Sequence, residues 1–189
     1  TPEDVSLYVE LADLHVRNER YDEAVQVLSQ ALEASGGDMN IRERIEDVTL
    51  RQLRNKVSVA RKRLEEDASE DNQQLHDRLV EELNKFELDM YVARADRYPN
   101  HLGYKFELAV RLQRLGKAGE AIPVYQEARA DPQRKAEVLL YLGECFEEIR
   151  QYRLAMNHYE EAWSELPDRM ADLRKRALYR AGWLAYTMK

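Results

Sequence analysis

Apolar positions recur along most of this chain at spacings of three and four residues. Between Ala136 and Pro167 the sequence AEVLLYLGECFEEIRQYRLAMNHYEEAWSELP places Leu139, Leu142, Gly143 and Phe146 at i, i+3, i+4 and i+7, which is one apolar stripe on an α-helix. Tyr152, Ala155, Tyr159 and Ala162 form a stripe on a second helix, and Pro167 stops it. Gly143 and Ala155 are expected where the two antiparallel helices cross most closely, because a larger side chain there would force the axes apart. Tyr152, Tyr159 and Phe146 are expected to fill the space around that contact.

The same spacing returns elsewhere. Aligned on Ala155, Ala24 takes the close-contact position of an earlier pair, and Tyr8, Leu11, Ala12, Tyr21, Leu28 and Ala31 match the other positions. His15 stands in the aromatic slot, where it reads as a hydrogen-bonded core residue, and Gly36 stands where a proline is expected. Thr1, Pro2 and Asp4 read as a helix start, and Ser35-Gly36-Gly37 as a helix end. From 101 to 131, Leu108, Ala109, Leu112, Leu115, Gly116, Ala121, Tyr125 and Ala128 repeat the pattern, and Asp131-Pro132 closes it. Pro123 falls inside the second helix of this pair. Its missing N–H would have paired with Gly119 near the helix start, so a small local bend is expected. Leu178, Ala181, Gly182 and Ala185 open a last pair. The chain begins at Thr1 without Met and stops inside a helix at Lys189, so it reads as a segment of a longer protein.

Residues 38–98 depart from this rhythm. Ile41, Ile45, Val48, Gln52 or Leu53, Val57, Ala60 and Leu64 continue one stripe, and Leu75, Leu79, Leu83, Phe86, Met90 and Ala93 a second. Each predicts a helix of roughly 25 residues, close to 40 Å long. Asp38 or Asn40 caps the first, and Ser69 or Asp71 the second, across a polar turn at 66–71. Residues 39–64 carry eight Lys or Arg against three acids, whereas 65–93 carry ten acids against Arg78 and Lys85. Opposite signs on adjacent helices favour pairing within this hairpin.

The pattern large-x2-Leu-Gly-x2-aromatic, followed by Ala-x3-aromatic-x2-Ala and Pro, resembles the tetratricopeptide repeat. The resemblance implies an all-α fold, a right-handed superhelix of antiparallel helix pairs (an α-solenoid) with about nine helices. The chain then divides into a repeat at 1–37, an elongated helical hairpin at 38–98, repeats at 99–132 and 133–167, and the first helix of a further repeat at 168–189. In this family the first helices line a concave wall that takes peptides or partner helices. The matching positions here are Val9, Asp13 and Arg17; Phe106, Val110 and Arg114; Leu140, Glu144, Glu147 and Glu148; and Tyr179, Trp183 and Tyr186. Packing between neighbouring first helices is the alternative role for Phe106, Leu140 and Tyr179. Family members that hold a C-terminal carboxylate place Lys and Asn four apart on that wall. Here the pairs are Val9 and Asp13, Phe106 and Val110, and Leu140 and Glu144, so that clamp is absent.

Composition narrows the function classes. Of 189 residues 34% are charged, with a net charge of −7, and no run approaches eighteen apolar residues, so no membrane-spanning helix is expected. The basic helix has an acidic partner in its own chain and carries no aromatic residue, which argues against nucleic acid. His15, His76, His101 and His158 lie on separate elements, and no phosphate loop, metal-ligand set or nucleophile–base pair is visible. Cys145, the only cysteine, has acidic neighbours and reads as a buried thiol. No catalysis and no cofactor are expected. The expected role is a non-catalytic protein-interaction scaffold that binds a protein or peptide with apolar and basic side chains. The alternatives are a homo-oligomerisation module, built on the long hairpin or the last helix, and a regulatory domain of a larger enzyme.

Overall fold

The computed structural model describes residues 2–188, with side chains from Val5 onward. Nine α-helices occur among them: α1 Pro2–Arg17, α2 Tyr21–Ala34, α3 Met39–Glu66, α4 Glu70–Arg97, α5 Leu102–Arg114, α6 Ala118–Ala128, α7 Lys135–Glu148, α8 Tyr152–Glu165 and α9 Ala171–Thr187. A single 3₁₀ turn at Asp168–Met170 precedes α9. The fold is all-α, as the periodicity requires. The expected Thr1 cap lies outside the described residues.

Helix ends follow from local chemistry. Asp38 caps α3 by accepting a hydrogen bond from the Asn40 N–H at 2.7 Å. Gly36 and Gly37 terminate α2 in the left-handed region, with the Gly37 N–H bonded to the Leu32 carbonyl at 2.9 Å. Three first helices end in the same way. Glu19, Gly116 and Arg150 have φ of 58°, 71° and 62°, and the next residue of each donates back to the carbonyl of His15, Leu112 and Phe146 respectively. This is the Schellman closure, which satisfies an orphan helix carbonyl and turns the chain into the second helix. Only one of the three positions is glycine. The turn is held firmly enough to impose a left-handed backbone on Glu and Arg, at a cost of about 1–2 kcal/mol each.

The chain forms two compact units, one extending to Glu87 and the other starting at Leu88. In the first, Ala12, Ala24, Leu28, Ala31 and Ile41 form a core covered by Val5, Tyr8, Val9, Val16 and Val27. His15 is half-buried and its Nδ1 has no hydrogen-bond partner, so it is not the hydrogen-bonded core residue that its position suggested. Farther along, Arg54 of α3 meets the buried Glu87 carboxylate at 2.6 Å. The other basic residues of α3 do not follow the expected pairing: Arg44 reaches Asp13 of α1 at 3.0 Å, and Arg61 pairs with Glu65 on its own helix.

The second unit has a larger core of Ala, Leu and aromatic side chains from α5 to α9. Among the glycines of this unit, Gly143 is the most closely packed. A Cβ built there would lie 2.6 Å from Cδ1 and Cε1 of Tyr159, so the small residue makes room for an aromatic ring. Tyr152 does not join this core; it is 42% exposed. Ion pairs link successive repeats: Arg129 to Glu161 at 2.6 Å, Lys135 to Glu165 at 2.5 Å, Arg176 to Glu144 at 2.5 Å and Arg180 to Glu147 at 3.2 Å.

Candidate functional site

The first helices of the second unit, α5, α7 and α9, border an open groove of about 670 Å³. Val110, Gln113 and Arg114 line it from α5, Tyr141, Glu144, Glu147 and Glu148 from α7, Tyr152 from α8, and Arg176 and Arg180 from α9. Five of the sequence-derived positions therefore share one surface: Val110, Arg114, Glu144, Glu147 and Glu148.

The other positions fall elsewhere. Phe106 and Leu140 are buried at 6% and 0% exposure and belong to the core of the second unit. The Phe106 ring lies 6.0 Å from Tyr141 and carries the Arg134 guanidinium at 4.6 Å. Their burial favours the packing alternative. Tyr179, Trp183 and Tyr186 are exposed on α9 but do not line the groove, since Arg176 and Arg180 occupy its α9 side. Val9, Asp13 and Arg17 belong to the first unit. Val9 packs on its core, and Asp13 is bound by Arg44. Sequence reasoning missed Gln113, Tyr141, Tyr152, Arg176 and Arg180; for the two arginines the signal was the one-repeat offset back to the α7 carboxylates.

Polar contacts order the groove floor. Tyr125 donates through its hydroxyl to Gln113 Oε1 at 2.8 Å, and Gln113 donates through Nε2 to Glu144 Oε2 at 3.3 Å. One repeat on, the Tyr159 hydroxyl donates to Glu147 Oε2 at 2.6 Å. The Glu144 side chain is only 8% exposed. Burial holds its carboxyl above the usual range, against the opposing pull of Arg176. Its Oε1 lies 2.5 Å from Arg176 Nε. The strip expected to be acidic is thus partly neutralised, while Arg114 and Glu148 on its rim have no ion pair among the described residues. Burial pushes the Tyr141 phenol up to about 12, with Glu137 adding to the effect. Among the described residues no group of three or more His, Cys, Asp or Glu side chains is arranged to hold a metal ion, and no helix is long and apolar enough to cross a membrane.

Tetratricopeptide repeat profiles match residues 5–45 and 106–169, the two stretches where the stripes and small-residue crossings were found. The chain belongs to the tetratricopeptide repeat family. Two solved structures show the same fold at low identity. The chain is similar to the MamA protein, with 12% identity, a TM-score of 0.53, and coverage of 87% of this chain and 92% of MamA. It is also similar to YrrB, described as a TPR protein with an unusual peptide-binding site, with 17% identity, a TM-score of 0.55, and coverage of 95% and 94%. No curated protein sequence matches it significantly. This tetratricopeptide repeat chain is a scaffold for protein interaction.

Proposed function

We propose that the α5/α7/α9 groove takes an extended segment of a partner protein, with apolar side chains against Val110, Tyr141 and Tyr152 and a basic side chain between Glu144 and Glu148. The observation that carries this reading is the acidic lining of the groove: Glu144, Glu147 and Glu148 border it together, and Glu148 forms no ion pair among the described residues. Glu144 and Glu147 are partly neutralised by Arg176 and Arg180, yet their carboxylates still contribute to the negative potential along the groove. Glu148, free on the rim, adds a second attraction for a cation, and Arg114 opposite it offers a contact for a peptide carbonyl or carboxylate. Phe106 and Leu140 support the wall from behind. The peptide-binding site of YrrB, a protein with the same fold, agrees with this use of the fold. The reading is non-catalytic, because the carboxylates Glu144 and Glu147 are engaged by Arg176 and Arg180.

The test is selection from a displayed library of random peptides. Enriched sequences should carry Lys or Arg beside apolar residues, and Glu148→Lys should weaken their binding about tenfold or more, on the order of 1.4 kcal/mol. Circular dichroism checks that the variant keeps its helicity. Selected peptides without basic residues, or bound equally by Glu148→Lys and the parent, would refute the groove assignment.

A further inference from the structure

Two repeats of the second unit share a polar contact at the same place. In each, the core tyrosine of the second helix donates its hydroxyl to a residue 12 positions back on the first helix: Tyr125 to Gln113 Oε1 at 2.8 Å, and Tyr159 to Glu147 Oε2 at 2.6 Å. What the bonded residue meets next differs. Glu147 has only acceptors, and its other oxygen takes the Arg180 guanidinium at 3.2 Å. Gln113 has an amide, and its Nε2 donates to Glu144 Oε2 at 3.3 Å. Tyr125 is fully buried, and Gln113 Oε1 is the acceptor its hydroxyl reaches among the described residues. Turned over, the amide would point Nε2 at the hydroxyl and Oε1 at the carboxylate. The phenol proton would then be orphaned, and two acceptors would face each other. The tyrosine therefore fixes which end of the amide Glu144 meets.

Burial favours the neutral form of Glu144, and Arg176, then Gln113, then Arg180 act against it. These three act differently on the groove. An arginine stabilises the anion by adding the opposite charge, which cancels much of its field. An amide N–H stabilises the anion and leaves its charge in place. We infer that Gln113, oriented by Tyr125, is a positioning residue that holds Glu144 ionised, so that the α5/α7/α9 groove prefers a cationic side chain to a neutral one of the same shape. That preference rests on the groove being the binding site proposed above, whereas the ionisation of Glu144 belongs to the chain alone. The other titratable groups around Glu144 on α6, α7 and α8 are the Tyr125, Tyr141 and Tyr159 phenols and the Cys145 thiol. Burial pushes all four up, so they stay neutral while carboxyls titrate. The remaining charges are Glu147 and Glu148 on α7, Arg114 on α5, and Arg176 and Arg180 on α9.

Carbon-13 NMR of the glutamate carboxyls in the full chain tests this, with the Glu144 signal assigned through Glu144→Gln. Gln113→Met keeps the length of the side chain and removes its amide. In this variant Glu144 should bind its proton about tenfold more tightly than in the parent. Tyr125→Phe leaves Gln113 in place and removes the bond that orients it, and should act in the same direction. Circular dichroism checks that each variant stays helical. A packing role alone would lower stability without moving this titration. A Glu144 titration that stays at its parent position in either folded variant overturns the inference. Selection from displayed random peptides at mildly acidic pH reads the ligand: enrichment in Lys and Arg should be weaker on Gln113→Met than on the parent. Equal enrichment on both overturns the ligand preference, and parent selections without basic residues refute the groove assignment, on which the Glu144 titration does not depend.

Discussion

Replacing Gly143 with alanine should destabilise the second unit, while the same change at Gly182, its counterpart in the next repeat, should stabilise it. At Gly143 the new Cβ would sit 2.6 Å from two Tyr159 ring carbons and 3.2 Å from a third. Carbon contacts are favourable at about 3.5–4.0 Å, so the ring must retreat by about 1 Å. Tyr159 is fully buried, and its hydroxyl is bonded to Glu147, so no free volume accepts the move. Overpacking of this kind costs about 1–3 kcal/mol, and loosening a hydrogen bond to a carboxylate adds about 1 kcal/mol. Alanine returns about 1 kcal/mol of helix propensity. The net expectation for Gly143→Ala is a loss of about 1–3 kcal/mol. At Gly182 nothing lies within 4 Å of the added Cβ, so the propensity gain of about 1 kcal/mol stands alone. The two tryptophans, Trp163 and Trp183, both lie in the second unit, so their fluorescence in guanidinium titrations follows that unit alone. Opposite shifts of the midpoint are expected, and Tyr159→Leu should abolish the Gly143→Ala penalty in a double-mutant cycle. Midpoints that move in the same direction, or an unshifted Gly143→Ala, would refute the steric argument.

Three further outcomes are expected. Tyr159→Phe keeps the ring but removes the hydroxyl bonded to Glu147, and should lower stability by about 1–2 kcal/mol in the same titration; no change would mean that water replaces the bond without loss. Cys145 is fully buried, and burial pushes its thiol up to about 12, so Ellman's reagent should react only through opening of the fold and faster in mild denaturant; a rapid reaction in native buffer would contradict the burial. Burial of His158 lowers its pKa, with Arg129 adding to the effect, so the unfolded chain takes up the proton first. Stability should therefore fall as pH drops below about 6.5, and His158→Phe, which keeps the stack on Phe146, should flatten that slope; parallel pH profiles would assign the dependence to other groups.

The helices, their order and the small-residue crossings were legible because burial on a helix leaves a period in the sequence. Leu139, Leu142 and Tyr159 could be placed as core residues from spacing alone. The groove was legible only in part. The family pattern says which face of a helix points inward, but not whether a neighbour covers it, and Phe106 and Leu140 show how a position on the right face becomes wall rather than surface. Arg176 and Arg180 were missed because their partners lie about one repeat earlier, beyond any local pattern. In the long hairpin, charge totals overstated the pairing: Arg44 and Arg61 found partners outside α4, and Lys56 and Arg63 found none among the described residues.

The ion pairs between repeats also have a consequence for how the array can change. Most of them join residues thirty or more positions apart: Arg129 with Glu161, Lys135 with Glu165, Arg176 with Glu144, and Arg180 with Glu147. The apolar crossings are generic, since Ala121 with Tyr125 and Ala155 with Tyr159 present the same shapes. The charged partners are not, and each names one particular neighbour. The repeats are therefore not interchangeable cassettes. Duplicating or shuffling one would preserve the packing but leave its cations opposite the wrong side chains, so their order in the chain is written in polar chemistry even where the architecture looks modular.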